Sequence, residues 1–246
     1  MVKGLDVFTQ WFKPYPDQYV LIGGTAAAIT MEAVGQTFRA TKDLDIVLHI
    51  EVLTPSFGKT FWEFIKAGEY QIQQTNDGTP KLYRFQKPKN EVFPWMLELF
   101  SRTPEGMRLG KESHLTPIPF DESMSSLSAI LLDEDYYQFV LSGRKMRNGF
   151  ASWIAEDRLI PLKILAWLDL TTRKNAGEEV DSKKIRKHLN DIVNLSGLLT
   201  PQSVIKIAPK ISIDLKHFLT KVRIEDIQNY AVIKERLTLA YNLAKV

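Results

Sequence analysis

The stretch Asp43–Ile50 constrains the fold more than any other part of the sequence. Its residues, Asp-Leu-Asp-Ile-Val-Leu-His-Ile, alternate polar and apolar at the start and then become apolar. Alternation is typical of a strand with one exposed face, whereas a continuous apolar run is typical of a strand buried on both faces. The stretch therefore predicts a central strand that is half exposed where it begins and buried beyond.

Strand and helix patterns alternate through the first 154 residues. Helical spacing or composition is found in Leu5–Phe12, Thr25–Val34 and Phe61–Ala67. Strand patterns are found in Gln18–Ile22, Tyr70–Gln74, Lys81–Gln86, Pro94–Phe100, Tyr136–Leu141 and Ala151–Ile154. Turn signals at Asn76-Asp77-Gly78 and Gly143–Gly149 predict that the flanking strands pair as hairpins, and residues 103–125 have the composition of a loop.

The character of the chain changes after Ala155, where helical periodicity replaces the strand patterns. The predicted helices are Leu159–Arg173, Asp181–Leu195, Gln202–Ile207, Asp214–Lys221 and Ile224–Ala244. We therefore expect an α/β (α+β) domain with a mixed sheet at residues 1–154. A helical subdomain at residues 155–246 is expected to complete a cleft with it.

Composition excludes several classes of site. The 246 residues include no cysteine, which excludes disulfides, thiol catalysis and Cys-ligated metal centres. A net charge of +3 is too small to predict a nucleic-acid partner by itself. The N-terminus has no signal-peptide pattern and no run approaches the roughly 20 apolar residues of a membrane span, so we expect a cytoplasmic protein without a membrane partner.

Asp43 and Asp45 lie two residues apart on the predicted strand, so both side chains project from the same face, about 6.6 Å apart along the chain. Two partly desolvated carboxylates at this separation repel by about 1 kcal/mol or more. A divalent cation such as Mg²⁺ or Mn²⁺ would relieve that repulsion, with substrate phosphates completing its shell. The alternative is an exposed strand start with two solvated aspartates.

Gly23, Gly24 and Thr25 lie between a predicted strand and the start of a predicted helix. Glycines allow a close approach to a ligand, while the first N–H groups of the helix and the Thr25 hydroxyl can donate to phosphate oxygens. The pattern is neither a dinucleotide fingerprint nor a Walker loop. The alternative is a tight turn without a ligand.

The segments Leu21-Ile-Gly-Gly-Thr-Ala-Ala-Ala28 and Arg39-Ala-Thr-Lys-Asp-Leu-Asp-Ile-Val-Leu48 together resemble the nucleotidyltransferase superfamily of DNA polymerase beta type. Within it they look like the AbiEii/AbiGii toxin-like branch, found largely in toxin–antitoxin and abortive-infection systems. The resemblance implies transfer of a nucleoside monophosphate from an NTP, with Mg²⁺ or Mn²⁺ held by Asp43 and Asp45. It also implies a tRNA or protein acceptor and a cognate antitoxin.

The resemblance extends to three further residues. Trp95-Met-Leu-Glu-Leu-Phe-Ser-Arg102 is similar to the strand that carries the third carboxylate, here Glu98, as a metal ligand and general base. The segments around Lys163 and Asp191 look like the helical Lys and Asp motifs, which implies catalytic roles for both and phosphate binding for Lys163. Pro161 departs from the pattern and is expected to start or kink the Lys163 helix.

Each of these residues has a structural alternative. Glu98 could belong to a solvent-exposed strand face. Lys163 could extend its ammonium into water, and Asp191 could form an exposed ion pair with Lys187. The basic run at residues 183–188 could bind a polyanion such as tRNA or be a solvated helix face. The functional alternatives are a small-molecule transferase of the aminoglycoside-modifying kind, and an inactive relative that binds a nucleotide or partner.

Overall fold

The computed structural model describes residues 2–74, 80–105, 115–118, 127–200, 204–223, 227 and 229–243. The chain divides into two compact units, Met1–Ile154 and Ala155–Val246, where the strand patterns give way to helical periodicity. In the described part of the chain, no helix is both long and apolar enough to cross a membrane.

The first unit contains all the strands of the described residues. Its helices are α1 (Leu5–Phe12), α2 (Gly23–Ala33), α3 (Pro55–Ala67) and α4 (Glu134–Ser142). Its strands are β1 (Tyr19–Ile22), β2 (Asp43–Leu48), β3 (Gln71–Gln74), β4 (Pro80–Gln86), β5 (Met96–Ser101), β6 (Leu115–Ile118), β7 (Leu127–Leu131), β8 (Arg144–Lys145) and β9 (Trp153–Ile154). The second unit contains α5 (Glu156–Asn175), α6 (Ser182–Ser196), α7 (Pro209–Lys221) and α8 (Tyr230–Ala240).

The strands form one mixed sheet in the order β3-β4-β5-β2-β1-β9-β8, and β7 joins the end of β5 and pairs with β6. Strand β2 is antiparallel to β1 and parallel to β5. It therefore has a neighbour on each side, as its apolar run predicts. The expected mixed α/β fold is confirmed.

One face of the sheet carries the aromatic core of the first unit. Leu44, Ile46 and Leu48 of β2 point into it, together with residues of α1 and α3. Its rings include Phe8, Phe12, Tyr19, Phe57, Phe61 and Phe64, with neighbouring centroids 4.4–6.5 Å apart. Burying each such ring contributes about 1.5–3 kcal/mol, so this face contributes much of the stability of the first unit.

The prediction of a strand at Tyr136–Leu141 was wrong, because these residues belong to helix α4. Tyr136, Tyr137, Phe139 and Val140 are buried together, a spacing that a helix presents on one face. Asp133 caps the helix by accepting a hydrogen bond from the Asp135 amide. The two short strands β8 and β9 instead pair with each other across the predicted turn.

Two other predictions need correction. Part of the predicted loop at residues 103–125 is strand β6, which pairs with β7, a strand that the sequence analysis did not identify. The predicted helix at Gln202–Ile207 was wrong, because residues 204–208 have no regular structure. The Asn76-Asp77-Gly78 turn lies outside the described residues, but its flanking strands β3 and β4 pair antiparallel as expected.

Glu51 links the end of β2 to α4 and to the end of β5. Its carboxylate accepts hydrogen bonds from the Tyr137 hydroxyl (2.6 Å) and from Arg102 Nε (2.8 Å). Burial raises the pKa of Glu51, but the hydrogen bonds from Tyr137 and Arg102 outweigh it, so the pKa is lowered from its ordinary value. The ionised carboxylate therefore stabilises the folded state.

We expect Tyr137→Phe to cost about 1 kcal/mol at pH 7 and less near pH 3, measured by urea unfolding. The pKa of Glu51 is lower in the folded state, so the stabilisation is present above its unfolded-state pKa. It is lost as the pH falls through the folded-state pKa. Tyr70→Phe is the control, because the Tyr70 hydroxyl donates to the Pro94 carbonyl, which does not titrate. Equal pH dependence in both variants would contradict this role for Glu51.

Candidate functional site

Four polar side chains lie on the sheet face opposite the aromatic core. Asp45 lies opposite Glu98 in the parallel register of β2 and β5, and Glu98 lies opposite Arg84 of β4. Directly paired residues project from the same face, and Asp43 shares that face because it is two residues from Asp45. Leu44 between the two aspartates is buried in the core. Three acidic residues and one arginine thus share one face of the sheet.

Helix α2 begins at Gly23, directly after β1, and its start lies against Asp45. Gly23 has φ +66°, and a Cβ atom there would lie 1.8 Å from Asp45 Oδ2. The Asp45 carboxylate therefore occupies the space that any other side chain at position 23 would need. The sequence predicts a two-glycine turn before the helix; the glycines are instead the first two residues of the helix.

The segment that contains Arg39 and Thr41 lies close to Gly24 at the start of α2. A Cβ atom at Gly24 would lie 2.9 Å from Thr41 Oγ1 and 3.4 Å from Arg39 Nη2. Arg39 has no role predicted from the sequence; its only signal is its position four residues before Asp43 in the motif that carries the resemblance. Its guanidinium adds positive charge beside the N-terminus of α2.

Thr25 is fully buried, and its hydroxyl donates to the Asp43 carbonyl oxygen at 2.7 Å. This bond fastens α2 to β2 and takes the hydroxyl hydrogen that we expected a phosphate oxygen to receive. The first N–H groups of α2 have no intrahelical acceptor, and Ile22 at the N-cap supplies no side-chain cap. The main chain of the first turn, with its partial positive charge, could therefore donate hydrogen bonds to an anion.

Glu98 pairs with Arg84, whose Nε lies 2.6 Å from Glu98 Oε1. Among the residues that the structure describes, no three acidic or histidine side chains form a group that could hold a metal ion. Asp43 and Asp45 are carboxylates that could hold Mg²⁺, which is commonly held by one or two carboxylates with substrate phosphates. Binding of Glu98 to the same ion would require the ion pair with Arg84 to break.

Lys163 and Asp191 form a buried ion pair within the second unit. Lys163 Nζ lies 2.9 Å from Asp191 Oδ2, and the two side chains are 7% and 1% exposed. Both structural alternatives are therefore wrong: Lys163 does not extend into water, and Asp191 is not on an exposed helix face. Helices α5 and α6 bring together two residues that the sequence analysis could assign only separately.

Pro161 lies inside α5, two residues before Lys163. A proline has no amide hydrogen to donate to the carbonyl four residues earlier, here that of Asp157. The Tyr241 hydroxyl donates to this carbonyl at 2.9 Å and replaces the missing bond. The helix therefore begins at Glu156 and continues through Pro161 to Lys163.

The contact between Gly23 and Asp45 predicts a large cost for Gly23→Ala. Positive φ alone costs an alanine about 1 kcal/mol, and the overlap with Asp45 adds about 1–3 kcal/mol. Gly35→Ala is a matched control, because Gly35 has φ +74° and no heavy atom within 4 Å of an added Cβ. Urea unfolding of both variants measures the difference. Equal destabilisation would show that Asp45 does not fill the space beside Gly23.

Comparisons with known proteins give structural likenesses only. No protein-family model matches the chain, and no curated protein matches it in sequence. The chain is similar to the crystal structure of an antigenic nucleotidyltransferase-like protein from Paracoccidioides brasiliensis, with TM-score 0.47 and 14% identity, over 94% of this chain and 90% of that one. It is also similar to the solution structure of the antibiotic-resistance factor ANT(2'')-Ia, with TM-score 0.36 and 9% identity, over 94% and 97%. Because both TM-scores are below 0.5, we base the function on this chain's own side chains.

Proposed function

We propose that this protein is a metal-dependent nucleotidyltransferase that moves a nucleoside monophosphate from an NTP to an acceptor. The observation that carries the proposal is the position of Asp43 and Asp45. They share one face at the start of a central strand, and the Asp45 carboxylate lies against the first residue of α2. Carboxylates that can hold Mg²⁺ therefore adjoin helix N–H groups that can hold phosphate.

The residues of the first unit have different proposed roles in metal binding and phosphate binding. Asp43 and Asp45 would hold the metal, and the main chain of Gly23, Gly24 and Thr25 would donate to the triphosphate. Mg²⁺ or Mn²⁺, when bound, supplies positive charge that neutralises the phosphoryl group in the transition state. Arg39 would add a cation beside Gly24, and the Thr25 bond to the Asp43 carbonyl holds the helix against the strand.

Glu98 is proposed to orient or deprotonate the acceptor hydroxyl and to contact a second metal ion. These roles require that bound substrate breaks the ion pair between Arg84 and Glu98. The guanidinium of Arg84 is 35% exposed, whereas Glu98 is 13% exposed, so the arginine is the more accessible partner. Lys163 is proposed to supply positive charge for the phosphates, with Asp191 fixing its ammonium. Both proposals follow the resemblance, and the buried pair supports the second because Asp191 restricts Lys163 to one position.

We propose a macromolecular acceptor, tRNA or protein, and a toxin role with a cognate antitoxin. The likeness of the Gly-Gly-Thr and Asp-Leu-Asp segments to the AbiEii-like branch supports this choice. The basic run at residues 183–188 is mostly exposed and could contact a polyanionic acceptor.

Incorporation of label from α-³²P NTPs into a cell extract tests the proposal. Label should enter RNA or protein with Mg²⁺ or Mn²⁺ and should be absent with EDTA. Label confined to small molecules would indicate the aminoglycoside-modifying alternative. A nucleotide that raises the melting temperature without any labelled product in any fraction would indicate an inactive, nucleotide-binding relative.

A further inference from the structure

The Thr41 side chain lies against the first turn of α2, at the point where Gly24 has no side chain of its own. A Cβ atom at Gly24 would lie 2.9 Å from Thr41 Oγ1 and 3.4 Å from Thr41 Cβ. The hydroxyl is thus the nearest side-chain atom to this position. A glycine here lets the Thr41 hydroxyl approach the main chain of the helix start, which a larger residue would prevent.

The two threonines at the start of α2 use their hydroxyls differently. Thr25 is fully buried, and its hydroxyl donates to the Asp43 carbonyl oxygen at 2.7 Å. Thr41 is half-buried, and in the described part of the chain its hydroxyl has no hydrogen-bond partner. The Thr25 hydroxyl therefore fastens the helix to β2, whereas the Thr41 hydroxyl is available to a ligand.

The groups beside the Thr41 hydroxyl favour an anion. Arg39 Nη2 would lie 3.4 Å from the same Cβ position at Gly24, and the Arg39 guanidinium lies 5.1 Å from the centre of the Phe38 ring. The first turn of α2 adds partial positive charge. The Asp45 carboxylate lies against Gly23 instead. The carboxylate and the hydroxyl thus adjoin different residues of the first turn, so one can hold a metal ion while the other donates to a phosphate.

We propose that Thr41 is a further substrate-binding residue, whose hydroxyl donates to an oxygen of the triphosphate tail beside Arg39. This inference rests on the proposed transferase function and gives Thr41 the role that the sequence predicts for the Thr25 side chain. A hydroxyl that donates to a phosphate oxygen forms a charge-assisted hydrogen bond. Serine can form the same bond, whereas valine has nearly the shape of threonine and no hydrogen to donate.

Binding of α,β-methylene analogues of ATP, CTP, GTP and UTP with Mg²⁺ tests the proposal. Their methylene bridge replaces the bond that nucleotidyl transfer breaks, so calorimetric titration measures the Kd without turnover. Thr41→Val should raise the Kd of the tightest-binding analogue about tenfold or more, because one hydrogen bond to a charged group is lost. Thr41→Ser should keep the Kd within about threefold of that of the unmodified protein. Tripolyphosphate with Mg²⁺, which is the tail alone, should lose the same factor in Thr41→Val as the analogue does.

Thr25→Val is the matched control for folding. Its hydroxyl has an acceptor within the protein, so its removal should lower the midpoint of urea unfolding. Thr41→Val should leave that midpoint unchanged, because no hydrogen bond within the described part of the chain is lost. A lower midpoint in Thr41→Val would assign its hydroxyl to the fold and would overturn the proposal.

The binding results separate this inference from the proposed function. If the unmodified protein binds an analogue and Thr41→Val binds it equally well, the role of Thr41 is wrong and the proposed function stands. If the unmodified protein binds none of the four analogues, the proposed function fails, and the role of Thr41 fails with it. A loss in Thr41→Ser as large as in Thr41→Val would exclude the hydroxyl as the donor. A loss for the analogue without a loss for tripolyphosphate would exclude the phosphate tail as the acceptor.

Discussion

Replacing Asp43 and Asp45 together by asparagine should lower NTP incorporation by a factor of about a thousand or more. Asparagine keeps the size of each side chain but removes the charges that would hold the metal against the triphosphate. The proposed phosphate donors, among them the first N–H groups of α2, remain in place. The measurement is the rate of label incorporation at saturating Mg²⁺, compared with the unmodified protein.

The loss should arise from chemistry and not from unfolding. Asparagine has the size of aspartate, so the variant should keep its fold, and urea unfolding of the variant checks this. Asp6→Asn with Asp17→Asn is the matched control, because both residues are exposed and the change in net charge is the same. Full incorporation by the Asp43 and Asp45 variant would exclude these residues as metal ligands and would remove the basis of the proposed function.

The buried pair of Lys163 and Asp191 should produce the largest change in stability. Lys163→Met or Asp191→Leu leaves the other charge buried without its counterion, at a cost of about 3–5 kcal/mol. The double variant Lys163→Met, Asp191→Leu leaves no such charge and should recover most of the loss. Urea unfolding of the four proteins completes a double-mutant cycle that measures the coupling directly.

The rate of label incorporation by the double variant separates a structural role of the Lys163–Asp191 pair from a catalytic role. If Lys163 supplies charge for the phosphates, the double variant should be stable and lack activity. Recovery of both stability and incorporation would show that the pair only holds α5 against α6. Failure of the double variant to recover stability would contradict the buried-charge explanation itself, because the two apolar side chains restore packing without restoring charge.

Local patterns were sufficient to predict much of the first unit. The run from Asp43 to Leu48 alternates and then becomes apolar, and it forms β2 with neighbours on both sides. The helix at Leu5–Phe12 was predicted residue for residue, because four of its side chains form one buried face. These signals lie within one turn or one strand, where spacing alone decides which side chains share a face.

Local patterns failed where a distant residue decides the outcome. Tyr136–Leu141 has strand composition, but buried packing of its aromatic rings in α4 outweighs that preference. Nothing near Gly23 in the sequence shows that the Asp45 carboxylate fills the space above it. The pairing of Arg84 with Glu98 likewise depends on the register of β4 against β5, which no single segment encodes.

The amino-acid sequence alone determined that a carboxylate pair would project from one face of a buried strand, that two glycines followed by a helix would precede it, and that the final third would be helical. Only the tertiary structure decided that Asp45 lies against Gly23, that Arg39 approaches Gly24, and that Lys163 meets Asp191 out of water. The physical reason is the separation along the chain of the residues that set each feature. Side-chain periodicity is a property of neighbouring residues, whereas the partner of a buried charge is chosen by packing between segments distant in the chain.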